Sequence, residues 1–164
     1  MEGHMAVVTK YAGSAKDPVA ANLIPAVLAE GRLRAINIPA LAITTGDSIA
    51  SLFYLGKIAS NAVPLAGLST LKHGAVTSVN DADIGIYRDG VAVDADLFAD
   101  GIDISSAGAK DPFAAVAVAN VGKQVWELLG LANDPGVEYD IVLTIKVAAT
   151  ATASIGGAIL YSKK

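Results

Sequence analysis

Cysteine is absent from the 164 residues. That excludes disulfides, a thiolate nucleophile and any zinc site built on thiolates. Histidine is nearly absent: apart from His4 in the opening Met-Glu-Gly-His-Met, only His73 occurs. Charge is scarce too. Charged residues make up 17% of the chain, against roughly 25% in an average soluble domain. The net charge of −4 argues against direct binding to a nucleic-acid backbone. No apolar run reaches the ~18 residues of a spanning helix, so no membrane is expected as a partner. The nearest candidate for a signal sequence, VAANLIPAVLA at 19–29, is broken by Asn22 and Pro25 and follows Asp17. No Gly-Lys-Ser/Thr occurs, so neither a phosphate loop nor a dinucleotide fold is expected. No cofactor is expected.

What the chain has in quantity is small apolar side chain. Hydrophobic residues are 53%, much of it alanine, while aromatics are only 5%. This length suits one domain with a substantial core. A surface so poor in charge implies that part of it is covered by another subunit or partner.

Residues 1–30 lack a clear period and are punctuated by Gly13, Pro18 and Pro25. They read as an N-terminal arm or irregular edge segment, with 1–4 set aside as a cloning remnant. Val7, Val8 and Tyr11 are the arm's expected anchors on a neighbour. Residues 31–164 form the expected domain. GRLRAINIPALAI (31–43) is extended, and Pro39 makes it an edge strand or a bend. Gly46-Asp47-Ser48 is a turn. In IASLFYLGKIA, Ile49, Ser51, Phe53 and Leu55 fall on one face and Ala50, Leu52 and Tyr54 on the other. Both faces are apolar, which predicts a strand sandwiched between layers.

DIGIYRDGVAVDADL (83–97) reads as a hairpin. Asp89-Gly90 fits a type I′ turn, which needs positive φ at both central residues. Val91, Val93 and Leu97 alternate with Ala92, Asp94 and Asp96, as on a half-buried strand. A helix is predicted over 120–131: Asn120 caps it, and Val121, Val125, Leu128 and Leu129 form one stripe. Gly130 and the Asn-Asp-Pro-Gly at 133–136 end it. Tyr139, Ile141, Leu143, Ile145 and Val147 then alternate with polar residues, Val142 excepted. Many short strands and one short helix predict an all-β fold, an antiparallel β-sandwich or jelly roll, with a compact β-barrel as the alternative.

The search for chemistry yields little. Asp81, Asp83, Asp89, Asp94, Asp96, Asp100 and Asp103 crowd one window. Carboxylates suit a hard cation, and Asp94, Asp96 and Asp100 are the candidate ligands, but the spacing is not that of an EF-hand loop. Turn formation is the preferred explanation. Asp94 and Asp96 could be paired for glycoside hydrolysis, yet any exposed Asp-x-Asp strand presents the same pair. His73, in Thr-Leu-Lys-His-Gly, has no nucleophile elbow beside it and reads as a surface or loop histidine rather than a catalytic one. Trp126 is expected in the core, or less readily as an interface anchor.

The blocks GRLRAINIPALAITTGDSIASLFYLGKIASNA, DADIGIYRDG, DADLFADGIDISSA and VWELLGLANDPGVEYDIVLTIKVAATATASIGG resemble a family of small virion-associated proteins of tailed bacteriophages. The resemblance covers roughly residues 31–161. Pro64 and the alanine-rich 107–119 stretch depart from it. Some members resemble jelly-roll capsid cementing or decoration proteins, which sit on the shell as oligomers. The resemblance implies a non-enzymatic homo-oligomer, a trimer in preference to a dimer, with the major capsid protein as partner. It implies a place on the capsid surface of the virion, after synthesis in the host cytoplasm. Two other readings stay open: a carbohydrate- or receptor-binding module of the virion, and an envelope-directed hydrolase.

Overall fold

A computed structural model describes residues 32–163. Nine strands run antiparallel among them: β1 (Arg32–Ile43), β2 (Leu52–Ala59), β3 (Ala62–Pro64), β4 (Thr70–His73), β5 (Ala82–Arg88), β6 (Val91–Ala99), β7 (Gly108–Lys110), β8 (Glu138–Ile145) and β9 (Ala153–Lys163). They form two sheets. One has the order β1-β9-β4-β7, with β3 also paired to β9, and the other has the order β2-β8-β5-β6. With the short β3 set aside, strands one, eight, three and six of the chain lie in the first sheet, and two, seven, four and five in the second. That alternation is the jelly roll. The compact barrel is not formed, because the two sheets share no ladder.

The core lies between the sheets. Ile43, Leu71, Ile155 and Ile159 from the first meet Phe53, Ile58, Ile84, Ile86, Ile141 and Leu143 from the second, all buried. β1 is an edge strand, as Pro39 predicts. Its pairing jumps from Ile38↔Gly157 to Leu41↔Ile155, a one-residue bulge that spares Pro39 from donating a ladder bond.

β2 departs from expectation. It begins at Leu52, and it lies at the edge of its sheet rather than between layers. Phe53, Leu55 and Ile58 point inward, while Leu52 and Tyr54 are exposed, Tyr54 at 50%. The inward spacing lengthens from two to three because a bulge intervenes: Tyr54↔Val142 is followed by Gly56↔Ile141. Gly56 sits there at φ +155°, and a Cβ on it would lie 2.4 Å from Cγ2 of Ile36, so the bulge lets β1 pass close to β2.

Among the longer described strands, those buried on both faces are β5 and β8. Inward, Ile84 and Ile86 face Ile141 and Leu143. Outward, Asp83, Tyr87, Val142 and Thr144 are buried as well. Two devices cover that outer face. The Tyr87 hydroxyl reaches Oγ1 of Thr144 at 3.1 Å, which carries the ring along the sheet past Val142. β6 folds the other half over. Ile84 pairs with Ala99 and Ile86 with Asp94, so five steps of β6 oppose two of β5. The surplus brings Ala95 onto Gly85. A second irregularity lies between Ile86↔Asp94 and Tyr87↔Ala92, and the expected alternation on β6 is not kept: Val91 and Val93, next to the turn, are both exposed. The hairpin turn itself is as predicted, with Asp89 at φ 52° and Gly90 at φ 79°.

The predicted helix over 120–131 reduces to one turn, α1 (Val125–Leu128), preceded by a 3-10 turn at Val118–Asn120. Gly122 at φ +88° and Gln124 in the extended region interrupt the stripe. The cap is Gln124, not Asn120: the backbone N–H of Gln124 donates to Oε2 of Glu127 at 2.7 Å, half of a capping box.

A Cβ at Gly85 would fall 2.1 Å from the Asp94 carbonyl oxygen and 2.2 Å from the Ala95 carbonyl carbon. Gly85→Ala is expected to cost about 3 kcal/mol or more, since backbone must move. Gly108→Ala, whose Cβ meets His73 at an ordinary 3.6 Å, is expected to change little. Denaturant midpoints of the two variants check this. Equal midpoints would remove Gly85 from its role.

Candidate functional site

The acidic window divides by environment. Asp83 is buried and pairs with Lys146 at 2.7 Å, and its other oxygen accepts the Gly101 N–H at 3.1 Å. Asp103 accepts the Ser105 N–H at 2.8 Å, and Asp89 forms the hairpin turn. Asp94 and Asp96 lie together on the β6 bulge, where the Asp96 N–H reaches Oδ1 of Asp94 at 3.4 Å. Burial, and then Asp96 beside it, push the Asp94 carboxyl up from its ordinary value. Asp100 is exposed in the turn that follows β6. Among the described residues no group of three His, Asp or Glu is placed to hold a metal ion.

His73 is not on the surface. It ends β4 at 6% exposure, with its Nδ1 3.1 Å from the Gly74 carbonyl oxygen. That contact requires a proton on Nδ1, and Nε2, itself buried, has no hydrogen-bond partner among the described residues. The histidine reads as a surface residue in sequence because it neighbours Lys72 and Gly74. Its strand register puts it on the inward side with Leu71. His73 also lines an open groove of about 420 Å³ that crosses the first sheet, with Ala40, Gly108, Ile155, Gly156 and Gly157 around it. Lys72, Gly74 and Ser154 complete its lining.

A second feature is the long connection from β7 to β8. Asp111 fixes its start, accepting the Phe113 N–H on Oδ1 at 3.0 Å and the Gly67 N–H on Oδ2 at 2.6 Å. Phe113 is buried edge-on against Phe98, ring centroids 4.9 Å apart. Further along, Val118 is 92% exposed and Val121 is exposed as well.

Ser60 holds the end of this connection. It is buried, donates from Oγ to Oδ1 of Asp134, and accepts the Val137 N–H at 3.1 Å. Its backbone pairs with Val137 and accepts the Trp126 N–H. Trp126 is half-buried, and its indole N–H donates to Oε1 of Gln124 at 2.7 Å. The residue is thus seated against its own chain with one part left at the surface. Val7, Val8 and Tyr11 lie outside the described residues.

The described residues therefore present apolar surface and polar groups that, His73 Nε2 apart, are exposed or hydrogen-bonded. Sequence reasoning missed Val118 and Val121 because it placed Val121 on a helix stripe. The signal was Gly122, which breaks that stripe, together with the absence of charge from Phe113 to Val121.

No family model matches the sequence, and no curated relative matches it. Among solved structures, the fold is shared with a chain of the capsid asymmetric unit of the cyanophage Pam1. The alignment covers 99% of this chain and 95% of that one, at TM-score 0.55 and 12% identity. It is shared also with a chain from the capsid of Ralstonia phage GP4, over 94% of this chain and 95% of that one, at TM-score 0.53 and 13% identity. At these identities the likeness is one of fold.

The Ser60 bond and the Gly136 N–H hold the Asp134 carboxyl below its ordinary value of 3.8. Because the folded-state value is lowered, this contribution is present above the ordinary value and is lost as pH falls through the lowered one. Ser60→Ala is expected to lose about 1 to 3 kcal/mol at neutral pH, since it strands the Val137 N–H. Asp134→Asn is expected to flatten the acid limb of the stability profile. Urea midpoints at neutral and acid pH measure both.

Proposed function

We propose that this chain is a non-enzymatic structural protein of a phage virion, seated on the capsid surface as an oligomer that cements the shell. The observation that carries the reading is the two-way, nearly full-length likeness of fold to a chain of the Pam1 capsid asymmetric unit. A second capsid chain of the same fold supports it. In each case the alignment spans 95% of the other chain, so the shared unit is nearly the whole of that chain.

The surface is consistent with this role. Ile49, Leu52 and Tyr54 at the β2 edge, and Val91 and Val93 at the hairpin tip, are large apolar groups in water. Such groups gain about 25 cal/mol for each Å² covered. A cement works through many modest contacts repeated by the symmetry of the shell, so that avidity does what no single contact can. The partners are then the major capsid protein and further copies of this chain, a trimer in preference to a dimer. In this reading residues 1–30 act as an arm, with Val7, Val8 and Tyr11 anchored on a neighbour, and the exposed part of Trp126 contributes to a contact. Assembly would follow synthesis in the host cytoplasm.

The test uses capsids of the parent phage from which this protein has been stripped. The full chain is expected to pellet with them at a fixed ratio to the major capsid protein and to raise the temperature at which they rupture. A chain carrying Val8→Asp and Tyr11→Ala is expected to pellet more weakly. Failure of the unmodified chain to pellet would sink the proposal.

A further inference from the structure

The connection between β7 and β8 is fastened at its two ends and hardly at all between them. At the first end Asp111 accepts the Phe113 and Gly67 N–H groups, Phe113 is buried against Phe98, and the Ala115 N–H donates to the Phe98 carbonyl at 2.9 Å. At the other end Ser60 holds Asp134 and Val137. Residues 116–133 lie between. In that span only Gln124 and Val125 are buried, so Val125, at 0% exposure, is its one wholly buried apolar side chain. Its hydrogen bonds run mostly within it. The Asn120 N–H donates to the Ala117 carbonyl, the Lys123 ammonium to Asn120, the Gln124 N–H to Glu127 and the Trp126 indole to Gln124. Among the described residues a single bond ties the span to anything beyond its own hinges, from the Trp126 N–H to the Ser60 carbonyl at 3.0 Å.

A segment that buries little and bonds mostly to itself opens ahead of the domain that carries it. Opening here leaves both ladders whole, because no strand of either sheet lies in 116–133. Closure then rests on two attachments, Val125 in its seat and Ser60 at the far end. What they hold shut is β3. The helical turn α1 lies against that strand. β3 is bonded to β9 on one side only, and Val63 within it is 5% exposed. With α1 lifted, the strand edge at β3 stands open.

We propose that residues 116–133 form a strap that opens as one unit from an intact sandwich, latched by Val125 and Ser60, and that its opening uncovers β3. The device is built into the domain itself. It goes beyond the function proposed above and stands whether or not the chain sits on a shell.

Trypsin reads the strap directly, because Lys123 is the only lysine or arginine between Lys110 and Lys146. Gln124 beside it is buried and capped, so the closed strap does not offer the bond to a protease. Cleavage then follows the population of the open form. At low trypsin the unmodified chain is expected to be cut at Lys123 ahead of Lys57, Lys72, Arg88, Lys110 and Lys146, with circular dichroism retained. Val125→Ala and Asp134→Ala are each expected to speed that cut, Val125→Ala by about tenfold or more. Tyr87→Phe removes the bond to Thr144 in the second sheet. It is expected to lower the urea midpoint and leave the Lys123 rate unchanged, since open and closed straps share the loss. The chain has no native cysteine, so Val63→Cys reports on β3. Adding Asp134→Ala to it is expected to speed its reaction with a thiol reagent by the same factor as the cut. Three results would overturn the inference: Lys123 cut no faster than the other five sites, Tyr87→Phe speeding the cut as much as Val125→Ala does, or thiol labelling unmoved by Asp134→Ala while the cut accelerates.

Discussion

The two sheets have no independent existence, and everything else in the fold follows from that constraint. Each sheet has one face that must be covered, and the cover is the other sheet. Burying one isoleucine or leucine is worth about 1.5 to 3 kcal/mol, and the shared core holds many of them. Because the strands of one sheet are separated in sequence by strands of the other, neither sheet can be completed early. β1 meets β9 across almost the whole described chain. Such long-range pairing folds slowly, since loop closure precedes the contacts that reward it.

The legible parts of the fold were those set by local chemistry. Asp89-Gly90 needs positive φ and obtains it. Pro39 cannot donate and sits at a bulge on an edge. Tyr139, Ile141, Leu143 and Ile145 alternate because one face of β8 meets the core. The illegible parts were set by contacts distant in sequence. No local rule shows that Tyr87 will lie along its sheet to Thr144, or that Ala95 will fold onto Gly85. Those two events bury β5 and β8 on both faces, a property that the apolar run at 49–55 suggested for β2 instead. An apolar run records that neighbours exist without saying whether they belong to the same molecule.

The candidate surfaces were legible to a lesser degree. A low charge content implied a covered surface, and exposed apolar groups are present at the β2 edge, the hairpin tip and the loop after β7. The positions were obscured by periodicity: Val121 fits a helical stripe on paper, and Gly122 removes it from that stripe in fact. His73 shows the converse. Its neighbours in sequence are those of a turn, while its neighbours in space are those of a core.

The pairing of Arg32 with Lys163 has a mechanical meaning. The first and last described strands end side by side at the same end of the sheet. Tension applied between these two points would separate β1 from β9 like the teeth of a zip, loading the cross-strand bonds one after another rather than together. That geometry yields at low force. Load on this domain is therefore carried best through its faces and loops, where strain spreads over both sheets, and worst through its two ends.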